Sequence, residues 1–229
     1  MTKLSHNTIS RVFLYIRILE GLIKKKHVGI SSKQLAALAG SSDVQVRKDI
    51  SNFKKIGTPG IGYSTVELRD TLVNFVLKDH VVSAALFGVG NLGTAILKYP
   101  SFYKERIKIV AAFDKSDSRI GKTINGLEVS AVTDAKRVIK NRRIDIAIIA
   151  VPQESAQSVA DIIISSGLRG IVNFSPTMIN VPSEIFVKDM DFTIEFLSLY
   201  CDAYMVNNKN VKKEKQLIGG KYGKDINGR

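Results

Sequence analysis

"LFGVGNLG", Leu86 to Gly93, follows the apolar run "VVSAA" and opens a stretch with helical spacing from Asn91. Glycines at this spacing between a strand and a helix have separate tasks. Gly88 permits the tight turn, Gly90 lets the backbone approach a pyrophosphate, and Gly93 allows the helix to pack closely. Val89, Asn91 and Leu92 complete the loop, and the helix N-terminus supplies N–H donors and a positive dipole end. Asp114 ends the next apolar run, 21 residues beyond Gly93. A carboxylate there accepts hydrogen bonds from an adenosine ribose and repels a 2′-phosphate, so the expected ligand is NAD or NADH rather than a phosphorylated form, although Lys115 and Arg119 stand nearby. The alternative reading of Asp114 is a strand-end cap.

The pattern continues outward from this loop. Short β-branched runs, "RIKIVAAFD", "IDIAIIAVP" and "RGIVNFSP", alternate with helical stretches near "TDAKRVIKN" and over "ESAQSVADIIISSG". Continuous apolar strands separated by helices predict a parallel sheet covered on both faces, and the doubly wound fold is the simplest arrangement.

The 229 residues carry a formal net charge of +13, with 45% hydrophobic and 24% charged residues. The charge is unevenly placed. Residues 1–78 hold 13 Lys and Arg against 5 Asp and Glu, residues 79–206 hold 14 against 14, and residues 207–229 hold 7 against 2. A neutral nucleotide module behind a basic one points to a polyanion partner for the front end, a lysine-rich solvated face being the alternative. The single cysteine, Cys201, leaves no disulfide framework and no multi-Cys zinc site, and no metal is expected. No run approaches the roughly 18–20 apolar residues that span a bilayer. With no signal-like start, the expectation is a cytoplasmic protein without a membrane partner.

The front module reads as helices. "NTISRVFLYIRILEGLIKKK" places Ile9, Val12, Phe13, Ile16, Leu19 and Ile23 on one face. In "SSKQLAALAG" Ser31 and Gln34 form a capping pair and Gly40 a stop, and "SSDVQVRKDISNF" repeats the device with Ser42 and Gln45. The last helix buries Val46, Ile50 and Phe53 and turns Gln45, Arg47, Lys48 and Ser51 outward. Two short helices across a tight turn have the layout of a helix-turn-helix. In a major groove Arg47 and Gln45 would read base edges, while Lys48 and Ser51 would hold phosphates. An ordinary three-helix bundle with a charged wet side fits the helix pattern equally well. The following "KKIGTPGIGYS" favours the DNA reading, because its glycines and proline suit a hairpin wing that would carry Lys54 and Lys55 to phosphates. "STVELRDTLVNFVLK" then reads as a helix leading into the second domain.

Few groups could move a proton beside a nicotinamide. The three histidines, His6, His27 and His80, all precede the glycine loop, and no tyrosine has a lysine four residues later. Cys201 reads as a small core residue, so no catalytic residue is assigned. The stretch "FTIEFLSLYCDAYM" is apolar on more than one side and must bury itself against something, a second subunit included. After it the chain loses periodicity and reads as a basic flexible tail.

With these motifs in order, including "YPSF", "GIVNFSP" and "MDF", residues 4–206 resemble the bacterial redox-sensing transcriptional repressor Rex family, departing from it in the wing at Lys54 and Pro59. The resemblance implies a winged-helix DNA-binding domain (1–78), a Rossmann NAD(H)-binding domain (79–190) and a C-terminal dimerisation helix (191–206) exchanged between the subunits of a homodimer. Residues 207–229 form the tail. It implies a repressor that binds double-stranded operator DNA and is released when NADH binds, so that the nucleotide is sensed and not consumed. Arg47 and Lys48 would touch DNA, Tyr99 would lie near the nicotinamide, and Asp191 and Phe192 would report its state, with Arg17 a partner for Asp191. The alternatives are an NAD-dependent oxidoreductase with a basic accessory domain and a non-catalytic NAD-binding partner of another protein.

Overall fold

A computed structural model of the chain describes residues 4–53, 56–58, 60–78, 80–99 and 106–205. Lys54, Lys55, Pro59, the "PSF" of "YPSF" and the tail lie outside the described residues. The chain divides between Asp79 and His80 into two compact units.

The first unit holds α1 (His6–Lys24), β1 (Gly29–Ile30), α2 (Ser32–Ala39), α3 (Asp43–Ser51), β2 (Tyr63–Ser64) and α4 (Thr65–Leu77). Ser31 and Gln34 close the expected capping box on α2, which stops at Gly40 in the left-handed region. On α3 only half of the device forms: Ser42 caps the Gln45 N–H, while the Gln45 side chain turns to Asp49 instead of back to the cap. β1 and β2 pair antiparallel, Thr58 bridges Gly62, and helices α1 to α3 with this ribbon make a winged helix. The core face of α1 differs from the expected stripe. Tyr15 is fully buried with Val12, Ile16 and Leu19, and Phe13 lies at the surface. Val46, Ile50 and Phe53 are buried as expected, and the Phe53 ring meets Phe75 of α4 edge-on, 4.6 Å between centroids.

The reason for the Tyr15 position is Asp49, only 1% exposed. Its carboxylate accepts from Arg11 Nε at 2.6 Å and Arg11 Nη2 at 2.8 Å, from the Tyr15 hydroxyl at 2.9 Å and from Gln45 Nε2 at 2.9 Å. The three donors from Arg11 and Tyr15 fasten α1 to α3, and Gln45 completes the shell from within α3. Burial pushes the Asp49 carboxyl up, but hydrogen bonds from Arg11, Tyr15 and Gln45 outweigh it and hold it below the ordinary carboxylate range. Burial, and then Asp49, push the Tyr15 hydroxyl to about 12. Because the folded carboxyl titrates lower than the unfolded one, its contribution is complete above the unfolded value of roughly 3.9 and is lost as pH falls through the folded value. Asp49→Asn is expected to cost about 1–2 kcal/mol of stability at pH 7. Thermal melts from pH 7 to pH 2 should show wild type and variant converging at the acid end; a constant difference across the range would contradict the assignment.

The second unit is a seven-stranded sheet with order β5-β6-β4-β3-β7-β8-β9. Its strands are β3 (Val82–Phe87), β4 (Ile107–Asp114), β5 (Thr123–Ile124), β6 (Leu127–Ala131), β7 (Ile146–Ile149), β8 (Gly170–Asn173) and β9 (Phe186–Asp189). β5 pairs antiparallel with β6, and every other pairing is parallel. Leaving β5 aside, the strands follow the 3-2-1-4-5-6 order of the Rossmann fold, whose chain reverses between β3 and β7 and opens a crevice at their carboxyl ends. Helices α5 (Asn91–Lys98), α6 (Ala135–Arg142) and α7 (Gln153–Ser165) cover the sheet, and α8 (Phe192–Tyr204) follows. Phe87 and Phe113, both fully buried, pack at 4.9 Å between centroids and lock the two strands that carry the glycine loop and Asp114.

Candidate functional sites

The crevice between the ends of β3 and β7 is a cleft of about 350 Å³. Gly88 and Gly90 form one wall, Ala150 to Pro152 and α7 the opposite one, and Asp114 to Ser116 with Arg119 the outer edge. The glycines fit their expected tasks. At Gly88, φ is +92° and a β-carbon would stand 2.5 Å from the Ala150 carbonyl oxygen; at Gly93 it would collide with the carbonyl of Gly88. At Gly90 it would meet nothing within 4 Å, so the open side of the loop is the side facing the cleft. That is the cradle a pyrophosphate needs: a loop fixed from behind and free in front. Val89 is buried, whereas Asn91 and Leu92 are exposed at the start of α5. The loop and cleft fit a dinucleotide such as NAD or NADH.

Asp114, 4% exposed, is held by several donors. Its Oδ2 accepts from the Val89 N–H at 2.8 Å and from Arg119 Nη1 at 3.2 Å, and its Oδ1 from the Ser116 N–H at 2.9 Å. Burial pushes the carboxyl pKa up, but these donors outweigh burial and keep it below the ordinary carboxylate range, so the group is a carboxylate at neutral pH. Of the two readings from sequence, these contacts are those of a cap at the strand end, while the side chain also borders the cleft.

Tyr99 stands just beyond the end of α5 opposite the loop, 59% exposed. It does not line the cleft. Phe192 opens α8 with its ring 6.2 Å from that of Phe174. Asp191 is the N-cap of α8, accepting from the N–H groups of Thr193 at 2.8 Å and Ile194 at 3.4 Å. Ahead of it lies a network that the sequence did not disclose. Asn173, 1% exposed, donates to Asp189 and to the Thr177 carbonyl, both at 2.8 Å, and Ser175 donates from its hydroxyl to the Val151 carbonyl at 2.6 Å. It ties the cleft wall to the strand preceding Asp191. α8 itself has no buried residue, although Ile194, Phe196, Leu197, Leu199 and Tyr204 ride on it.

In the first unit, α3 presents Arg47 and Lys48 to solvent. Arg47 makes an exposed ion pair with Asp43, 3.0 Å away, which a phosphate or a base edge can displace at little cost. The Ser51 hydroxyl donates to the Lys48 carbonyl. Gln45 lies half-buried with its amide nitrogen on Asp49, so it faces inward more than expected. Arg17 of α1 is exposed. Beside α3 an open groove of about 560 Å³ runs between Arg47, the start of α2 and the ribbon residues Gly57, Gly62 and Tyr63. At the turn of the ribbon Ile61 is 80% exposed.

A family model described as "CoA binding domain" matches residues 79–177, and one described as "Putative DNA-binding protein N-terminus" matches residues 3–51. The chain is 38% identical over 192 residues, 84% of its length and 92% of the relative's, to the redox-sensing transcriptional repressor Rex of Carboxydothermus hydrogenoformans. Among solved structures, it is similar to the Rex-family repressor RSP in complex with β-NAD+ and operator DNA, with TM-score 0.80, 29% identity and coverage of 98% of this chain and 100% of that one. The complex of RSP with β-NADH matches at TM-score 0.77 and 30% identity over 93% and 99% of the two chains. Relatives of this kind are named as repressors, not enzymes. Among the described residues no helix is long and apolar enough to cross a membrane.

Proposed function

The chain belongs to the Rex family of redox-sensing transcriptional repressors, and from that premise we propose that it represses transcription as a homodimer that binds operator DNA and is released by NADH. One observation carries the reading: a single chain joins a winged helix with an exposed cationic α3 to a Rossmann cleft whose glycine loop is open on its ligand side. RSP, similar over nearly its whole length, has been solved with each of the corresponding ligands.

Residues 1–78 are the DNA-binding domain, 79–190 the NAD(H)-binding domain and 191–206 the dimerisation helix, followed by the basic segment 207–229. α3 enters the major groove with Arg47 on base edges and Lys48 and Ser51 on phosphates; Gln45 keeps its amide oxygen for the same surface, and Lys54 and Lys55 follow the backbone. Gly88 to Gly93 and Asp114 hold the cofactor; Tyr99 and Phe192, outside the cleft lining of the single chain, would meet it only in a rearranged or dimeric state. The uncovered apolar length of α8 supports its exchange between two subunits. The place of work is the cytoplasm, where DNA and both cofactor forms occur together.

Arg17, Tyr99 and Asp191 carry the switch. Bound NADH supplies differential affinity for one of two dimer states, and the protein converts it into a change at α3. Asp191 is suited to this because, as the cap of α8, it sits where a small movement either keeps or breaks the helix start. Asp191→Ala and Tyr99→Phe are expected to reduce the mutual effect of NADH and DNA, typically about 1–3 kcal/mol in such systems, more than they reduce either affinity alone. The experiment is calorimetric titration of NADH with and without operator duplex, beside absorbance of the reduced nicotinamide for hours in the presence of small carbonyl compounds. Constant absorbance with coupled binding supports a sensor. Steady NADH consumption would replace it with an oxidoreductase.

A further inference from the structure

We propose that Asp49 decides which bases α3 accepts, by locking the Gln45 amide in one orientation. Gln45 then presents its carbonyl oxygen to the major groove and selects a base that bears an amino group, adenine or cytosine, over a keto base. The inference rests on reading α3 as the recognition helix.

Gln45 stands at the border between two faces of α3. Residues three and four apart are neighbours on a helix surface, and here these are Lys48, exposed, and Asp49, buried. Gln45 Nε2 donates to Asp49 Oδ1 at 2.9 Å. The same oxygen accepts from Arg11 Nη2 at 2.8 Å, while Oδ2 accepts from Arg11 Nε at 2.6 Å and from the Tyr15 hydroxyl at 2.9 Å. Both oxygens of the carboxylate are therefore held from α1, by a guanidinium fork and a phenol, before Gln45 meets it.

A carboxyl group kept ionised by these donors accepts on both oxygens and has no proton to give. The Gln45 amide has one compatible orientation as a result. Turned over, its carbonyl oxygen would face Asp49 Oδ1 with no hydrogen between two acceptors, in a place that burial shields from water. An unconstrained glutamine can offer a base edge either arm of its amide. In this protein the nitrogen is engaged on the core side, and the oxygen is the arm turned to the groove. Adenine N6 and cytosine N4 carry hydrogens there, whereas guanine O6 and thymine O4 are acceptors that repel it. Asp49 is thus a positioning residue, acting on the base through Gln45.

Duplexes selected by the full-length wild-type protein from a randomised library supply the probe, and each position of a half-site is then varied through every base at fixed salt. In wild type one position should prefer adenine or cytosine to guanine and thymine on the same strand by at least about fivefold, the lower end of what a good polar base contact discriminates. Gln45→Met, similar in size and without the amide, should abolish that preference and leave the position read by Arg47 unchanged. Asp49→Ala, which releases the amide, should bring the same preference toward equality. Tyr15→Phe should keep it, because it loosens the cluster but leaves the carboxylate in place, so a loss that merely follows stability in thermal melts is separated from loss of the lock. Should Asp49→Ala fail to fold, an amino preference removed by Gln45→Met and kept by Tyr15→Phe supports the orientation. A keto preference at that position, no position changed by Gln45→Met, full discrimination in a folded Asp49→Ala, or its loss in Tyr15→Phe would overturn the proposal while α3 remains the recognition helix. Failure of the wild-type protein to select any duplex would overturn the reading beneath it.

Discussion

Gly90→Val is expected to lower NADH affinity at least a hundredfold while leaving the fold of the second unit almost unchanged. The two halves of this expectation have separate causes. Gly90 has φ −74° and ψ −159°, a conformation open to any residue, and a β-carbon added there meets nothing within 4 Å. The substitution therefore costs the empty protein no more than the loss of a favourable helix N-cap, about 1 kcal/mol. The same space is where a dinucleotide must bring its pyrophosphate against the loop, and valine fills it. A hundredfold loss corresponds to about 2.7 kcal/mol. Gly93→Val would be a poorer test, because its side chain collides with the Gly88 carbonyl and confuses folding with binding. Calorimetric titration and thermal melting on the same preparation check both halves. Undiminished NADH affinity would place the cofactor elsewhere.

Arg47→Ala and Lys48→Ala, combined, are expected to weaken operator binding by about 2–4 kcal/mol, and the single variants should differ in kind. Loss of a base contact at Arg47 should cost about 1–3 kcal/mol and relax specificity at one position of the half-site. Loss of a phosphate contact at Lys48 should weaken all sequences alike and flatten the salt dependence by about one ion. Both side chains are exposed, so neither substitution threatens the core. The Asp43 partner of Arg47 is freed in the variant, but an exposed i,i+4 pair contributes too little to disturb the comparison. Equal binding by wild type and double variant at one salt concentration would remove α3 from the interface.

Much of this architecture is visible in the sequence because it rests on local rules. The Ser31–Gln34 box, the stop at Gly40 and the glycine loop each need only a few neighbouring residues, and each appears as read. The antiparallel β5–β6 hairpin was equally accessible: Asn125 and Gly126, both at positive φ, are the turn pair that closes tight hairpins. What the sequence withholds is long-range. Asp49 stands among the polar residues of "QVRKDIS" and looks solvated; only Arg11 and Tyr15, 38 and 34 residues earlier, make its burial possible. That same carboxylate drew Tyr15 inward in place of Phe13 and took the amide of Gln45. Asn173 is hidden for the same reason, since its partner Asp189 lies on β9, a strand with no strong alternation. Asp114 shows the other limit: its place at the end of an apolar run is visible in the sequence, while its orientation is a matter of three hydrogen bonds.

A redox-sensing repressor must read reduced nicotinamide and transmit its state to DNA within one molecule. The most direct measurement is operator affinity of the full-length protein at fixed salt with NAD, with NADH and without cofactor. The account predicts that NADH weakens operator binding relative to NAD by about five- to 150-fold, the range of a 1–3 kcal/mol coupling, and that operator DNA weakens NADH binding by the same factor. Equal operator affinity with both cofactors would contradict it.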